Sequence, residues 1–186
     1  MHSRLILVAF LVASVPLTAC RREQPPPPPP PAEETTSEPA PQEDRDDDEA
    51  RRAAEERARA VAEARGALEQ RVHFDYDEST IRPDTERILL EKVEILQASP
   101  DVRLRIEGHC DERGSVEYNL ALGNRRAEAV RQFLVNYGID ESRLETVSYG
   151  QERPLVAESN ESAWAQNRRA EFIVTAGGDQ INPPSE

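Results

Sequence analysis

Apolar and polar positions alternate over Val72-His73-Phe74-Asp75-Tyr76 and again over Val102-Arg103-Leu104-Arg105-Ile106. A side chain that changes face at every residue marks a strand with one buried face. Both segments are therefore predicted strands, and the runs Leu144–Tyr149 and Ala170–Val174 complete a set of four. Between the first two the period lengthens. Ile88, Leu89, Val93, Ile95 and Leu96 form one apolar stripe, Pro83 suits a first helical turn with Asp84 and Glu86 at its positive end, and Ser99-Pro100 stops the helix. A second helix runs from about Val116, with Ser115 as its cap. It carries Leu122, Val130, Phe133, Leu134 and Tyr137 along one face, and Gly138 ends it as a left-handed cap. A short turn is expected over Ala163 to Gln166. The order β-α-β-α-β-β predicts an α+β two-layer sandwich, with helices packed on one face of a mixed sheet, over residues 71–176.

The rest of the chain has other patterns. Leu5 to Val15 is an apolar run behind Arg4, too short to span a bilayer, and reads as a signal peptide over residues 1–19. Leu17-Thr18-Ala19 directly before Cys20 resembles the lipobox of bacterial lipoproteins, which implies cleavage before Cys20 and its acylation. Ordinary secretion with a free Cys20 is the alternative. Arg21, rather than an aspartate, after the cysteine resembles the outer-membrane sorting class. Residues 20–48 hold the prolines Pro25 to Pro31, then Pro39 and Pro41 and most of the acidic run Glu43 to Glu49. This composition predicts a disordered linker, extended at about 3.1 Å per residue. Residues 49–70 turn to Ala, Glu and Arg, with pairs such as Glu55–Arg59 at i,i+4, and predict a charged, solvated helical stalk. Residues 177–186 are expected to be a flexible tail.

Composition narrows the function. The formal charge of −13 argues against a nucleic-acid partner or an anionic membrane held by charge. Hydrophobic residues make up 37% of the chain, which fits a single cored domain with uncored appendages. With Cys20 acylated, Cys110 has no partner for an internal disulfide. No nucleophile–base pair or pair of carboxylates at a recognisable spacing suggests an enzyme.

The chemistry concentrates in Gly108-His109-Cys110-Asp111-Glu112-Arg113-Gly114 and, on the following helix, Arg125-Arg126. A carboxylate and a guanidinium in one pocket can grip a ligand that presents both an ammonium and a carboxylate. The two arginines lie about 100° apart on a helix, so only one need face such a pocket. Arg168 and Arg169 alternate on a strand edge, where a solvated face is as good a reading as a pocket role. His109, Cys110, Asp111 and Glu112 invite a metal reading, but four consecutive residues cannot all converge on one ion and their spacing matches no common zinc pattern. No metal and no cofactor are expected.

Phe74-Asp75-Tyr76-Asp77, Glu107 through Gly114, Glu117-Tyr118-Asn119, Arg125-Arg126-Ala127, Val147-Ser148-Tyr149-Gly150 and Asn167-Arg168-Arg169-Ala170 stand in this order. Together they resemble the OmpA-like peptidoglycan-binding domain family, most closely its peptidoglycan-associated lipoproteins. The resemblance implies the OmpA-like C-terminal fold and noncovalent binding of the diaminopimelate residue of the peptidoglycan stem. By motif position, Asp111 would hold the ligand ammonium and Arg126 its carboxylate. Tyr76, Asp77 and Leu122 would line the pocket, with Asn119 and Arg169 in support. The resemblance also implies a periplasmic domain tethered to the outer membrane through acylated Cys20, membership of the Tol-Pal system, and the β-propeller protein TolB as a partner. Cys110 departs from the pattern, in which a small non-thiol residue is common.

Overall fold

The computed structural model describes residues 43–184; the expected signal peptide, Cys20 and the proline tract lie outside the described residues. The strands are β1 (Val72–His73), β2 (Arg103–His109), β3 (Leu144–Gly150) and β4 (Arg169–Ala176), and the helices are α1 (Glu43–Glu69), α2 (Pro83–Ala98), α3 (Val116–Asn136) and α4 (Glu161–Asn167). The sheet order is β1-β4-β2-β3; β2 and β3 run parallel, and the other neighbours are antiparallel. Leu104 and Ile106 on β2, with Ala170 and Phe172 on β4, join Leu89, Leu96, Val130 and Leu134 of the helices in one buried core. This is the α+β sandwich that the alternation predicts, with helices on one face of a mixed sheet. Among the described residues no helix is long and apolar enough to cross a membrane.

Helix ends follow local chemistry. The Ser115 side chain accepts from the Tyr118 N–H at the start of α3. At its other end Gly138 takes φ 90°, and Ile139 N–H reaches back to the Leu134 carbonyl at 3.1 Å. The expected turn near Ala163 is α4, capped by the Asn160 side chain on Ala163 N–H.

Four expectations need correction. The acidic run Glu43 to Glu49 is the start of α1 and not an extended linker; acidic side chains are favoured at the positive end of a helix. The C-terminal part of α1 is no detached stalk, because Ala64 and Leu68 are buried in the core. Fully buried Lys92 holds this end of the helix, donating to the Ala67 and Leu68 carbonyls at 2.6 and 2.8 Å. Its ammonium also lies 4.1 Å from the Phe172 ring centroid, and burial draws its pKa down to about 7. β1 stops at His73; Phe74 N–H still donates to the Arg168 carbonyl at 2.9 Å, but Asp77 then adopts φ 57° as the chain turns away. The segment after Gly177 docks and does not hang loose: Ile181 is buried, and Asn182 N–H donates to Ser99 Oγ at 2.8 Å.

The approach of α3 to the sheet depends on two glycines. A Cβ on Gly108 would collide with the backbone of Gly123, and one on Gly123 would collide with Ser148 Oγ. Ser148 Oγ also donates to the Leu120 carbonyl of α3 at 2.7 Å. Gly108→Ala is expected to cost about 3 kcal/mol in urea unfolding, since backbone must move to accept it. Gly66→Ala, in a helix with nothing within 4 Å of the new methyl, is expected to stabilise by about 0.5–1 kcal/mol. Equal effects of the two changes would refute the close-contact account.

Candidate functional site

Strand β2 ends at His109, and the next residues enter a pocket between the loop after it, the start of α3 and the turn after β1. Tyr76, Asp77, Cys110, Asp111, Arg113, Gly114, Asn119, Leu122 and Arg126 all line it, with Tyr118 at its edge. Its volume is about 100 Å³, room for a charged end group and not for a whole polymer unit. Six of the seven expected residues meet there: Asp111, Arg126, Asp77, Tyr76, Leu122 and Asn119. Arg169 does not. Arg168, the C-cap of α4 just before β4, donates to Asp111, while Arg169, the first residue of β4, donates to Glu171 and to the Asn167 and Arg153 carbonyls.

Asp111 is 4% exposed and fully engaged. Its Oδ1 accepts from the Arg113 N–H and Nε at 3.0 and 3.1 Å, and its Oδ2 from Arg113 Nη2 at 2.7 Å and Arg168 Nη1 at 3.3 Å. Burial pushes its carboxyl pKa upward, but these hydrogen bonds outweigh it and hold the group below the usual aspartate value. Arg113 is gripped in turn by two rings, its guanidinium 4.1 Å from the Tyr76 centroid and 4.2 Å from that of Trp164. Arg113 thus fills the cation position against Asp111. Sequence reasoning does not single it out; the chain's one tryptophan, Trp164 on α4, is the signal that points to it.

Arg126 is arranged differently. It is 0% exposed, and it donates from Nε to the Glu78 carbonyl at 2.8 Å, from Nη1 to that of His109 at 2.8 Å and from Nη2 to that of Asp75 at 3.0 Å. Among the described residues it makes no ion pair with a carboxylate. Burial lowers its pKa. Arg125, its neighbour, points outward over Tyr118 at 5.8 Å. Asp77 accepts a hydrogen bond from the Tyr118 hydroxyl, and Asn119 Nδ2 ties the loop through the Asp111 and Arg113 carbonyls. Buried Cys110 points to the same side, its Sγ 3.2 Å from the Asn119 carbonyl and 3.4 Å from Arg126 Nη1. Burial raises its pKa, so it is a neutral thiol at neutral pH. His109 faces the other way, stacked on Tyr149 at 5.6 Å, so the run from His109 to Glu112 forms no common ligand set.

A larger groove of about 1080 Å³ runs along α1 and β4, between residues such as Arg65, Ile88 and Ile173, but none of the expected site residues lines it.

The model of the OmpA family matches residues 73–168. The peptidoglycan-associated lipoprotein of Brucella melitensis biotype 1 is 46% identical over 108 residues, which cover 58% of this chain and 64% of that protein. That of Pseudomonas aeruginosa is 48% identical over 100 residues, covering 54% and 59%. The chain thus spans less than two thirds of the length of either relative. Among solved structures, the peptidoglycan-associated lipoprotein from Burkholderia pseudomallei is 40% identical with a TM-score of 0.55, over 56% of this chain and 88% of that one. The C-terminal domain of Helicobacter pylori MotB, at 23% identity and a TM-score of 0.53 over 56% of this chain and 82% of that one, shares the fold.

The pairing of Asp111 predicts a pH response. Because its folded pKa is depressed, the ionised carboxylate stabilises the fold above its unfolded pKa of about 3.9, and this is lost as pH falls through the folded value. Arg113→Ala removes two side-chain donors, so the Asp111 pKa should rise and acid unfolding should begin at higher pH. Carboxyl NMR of Asp111 in both forms reads this directly, and an unchanged pKa would show that Arg113 does not hold the carboxylate.

Proposed function

The chain belongs to the OmpA family, and we propose that it is a non-enzymatic binding protein that grips the diaminopimelate residue of a peptidoglycan stem. The observation that carries this reading is Arg126, a guanidinium with no exposed surface, held by backbone carbonyls and lining a small pocket without a carboxylate of its own. A buried cation so placed attracts an anion. The side-chain carboxylate of diaminopimelate supplies one, and Asp111 with Asp77 receives its ammonium, which takes over the position that Arg113 fills in the free protein. The names of the relatives, peptidoglycan-associated lipoproteins in both bacteria, support the same ligand.

The reading extends to the rest of the chain. Residues 1–19 would direct export, acylated Cys20 would hold the protein in the outer membrane, and the proline segment would let the domain reach the wall across the periplasm. The protein would then serve as the wall-binding member of a Tol-Pal system. A second reading, TolB binding, is favoured by the apolar residues near the pocket: Tyr76 is 58% exposed, and Val116, Tyr118 and Leu120 are also exposed. Competition between wall fragments and TolB for the chain is expected if the two share this surface, and simultaneous binding would exclude a shared surface.

Co-sedimentation of the full chain with purified walls tests the ligand. A lysine-type stem lacks the side-chain carboxylate and leaves Arg126 unpaired, which costs about 1.5–3 kcal/mol, or roughly ten- to hundred-fold in affinity. Pelleting with diaminopimelate-type walls should exceed that with lysine-type walls by this factor. Asp111→Asn and Arg126→Lys, the latter keeping the charge but losing the fork, should reduce it. Equal pelleting on both walls, or folded variants that pellet unchanged, would overturn the assignment.

A further inference from the structure

The face of the sheet turned away from the helices carries a second constellation. Gly108 on β2 abuts α3, so its neighbours Glu107 and His109 point to the opposite face. The register of β2 and β4 sets Glu107 directly across from Glu171. Two like charges directly opposed on neighbouring strands destabilise a sheet unless they are paired; here Glu107 is buried and Glu171 is half-buried. Glu107 is 7% exposed and makes no ion pair among the described residues. His109, two residues on, is 1% exposed, and among the described residues neither of its ring nitrogens has a hydrogen-bond partner.

The nearby cations are committed elsewhere. Arg105 pairs with Glu145, and Arg71 and Arg169 both donate to Oε1 of Glu171, at 2.9 and 2.7 Å. Among the described residues Glu107 makes no ion pair, whereas the Glu171 carboxylate is already paired with both Arg71 and Arg169. One ligand atom each from Glu107, His109 and Glu171 lie within 4.8 Å of one another.

We propose that Glu107, His109 and Glu171 form a binding site for a divalent transition-metal ion of the zinc class. Imidazole nitrogen and carboxylate oxygen bind Zn²⁺ at about 2.0–2.2 Å. Ligands on a tetrahedral ion are then about 3.4 Å apart, which small side-chain rotations reach from the present spacing. Mg²⁺ and Ca²⁺ require more oxygen ligands than this face offers, and an imidazole donor selects against them. Three protein ligands leave a fourth position for water. Arg71 and Arg169 orient Glu171 through Oε1, as outer partners of a metal ligand do. Their charge also weakens the site, so micromolar rather than tighter binding is expected. The ion would bridge Glu107 and Glu171 and so cross-link β2 to β4. Spacing along the chain could not reveal this set, because Glu171 reaches it from a strand far away in sequence.

Titration of the full chain with ZnCl₂ against a chromogenic chelator tests the site. One equivalent should bind with Kd below about 10 µM, and Glu107→Gln and Glu171→Gln should each weaken it at least tenfold. Cys110→Ser and His73→Gln should leave it unchanged. Imidazole ¹⁵N NMR of the unaltered chain provides a readout independent of any variant, and His109, among the histidines at 2, 73 and 109, should be the one whose ring signals move. Wall binding by Glu171→Gln should equal that of the unaltered chain, since the pocket lies on the other side of the sheet. Binding that survives both glutamine changes, that shifts His2 or His73 instead, or that fails to reach one equivalent at 100 µM zinc would overturn the proposal.

Discussion

Arg126 is the interaction on which the site depends. A guanidinium removed from water costs several kcal/mol unless its donors are satisfied, and here backbone carbonyls satisfy them. Those carbonyls belong to Asp75, Glu78 and His109, so one side chain on α3 fastens the turn after β1 to the end of β2. The pocket is the space these segments enclose. Using carbonyls rather than a carboxylate is what makes the arrangement functional: dipoles stabilise the charge without cancelling it. Asp111, at the same pocket, follows the opposite rule and is cancelled by Arg113 and Arg168. A cation held by dipoles thus stands beside an anion held by cations, and the proposed zwitterionic ligand would pair with the first while displacing Arg113 from the second.

Arg126 reaches this place because α3 lies unusually close to the sheet. Gly108 and Gly123 touch backbone to backbone, and any side chain at either position would lift the helix away. Gly150, at φ 50°, packs against the backbone of Asn119 and Leu120 and accepts from Cys110 N–H at 2.8 Å. These contacts set the height of α3 over β2 and β3, and Leu122, Asn119 and Arg126 follow from that height and the helical repeat. Cys110 fits the same logic. Its side chain fills the space between Asn119 and Arg126, where a neutral thiol can sit against a cation without competing for it.

Much of this was legible in the sequence, and the failures share a cause. The strand and helix cores were readable because their apolar periodicity records burial directly; Ser115 and Gly138 were readable because cap chemistry is local. Asp111 and Arg126 were identified through motif order, not through any contact inferable from spacing. Hidden were features in which a polar residue does the work of a core residue. Lys92 breaks an apolar stripe in sequence, yet its ammonium caps the end of α1 and brings Leu68 into the core. Arg168 and Arg169 are chemically equivalent in sequence, and only the fold decides that Arg168, at the C-cap of α4, reaches Asp111 while Arg169, the first residue of β4, binds Glu171. Ile181 lies among polar residues and prolines, and its burial depends on Asn182 finding Ser99 across the fold.

The two faces of β2 show how one short strand can serve separate chemistries. Leu104, Ile106 and Gly108 face the helices, grading from core to the close contact with α3, while Arg105, Glu107 and His109 face the other way. The helical face resolves each of its polar demands internally: Lys92 finds carbonyls, as does Arg126. The outer face does not, because Glu107 meets another carboxylate in register and His109 meets a tyrosine ring. Buried polar groups in folded proteins are nearly always paired, so a cluster left unpaired is evidence of something the protein chain itself does not supply. Among the described residues the buried side-chain atoms without a partner are the two ring nitrogens of His109, and that deficit beside the facing carboxylates is what the proposed ion would answer; Arg126, whose donors end on carbonyls, offers its net charge instead.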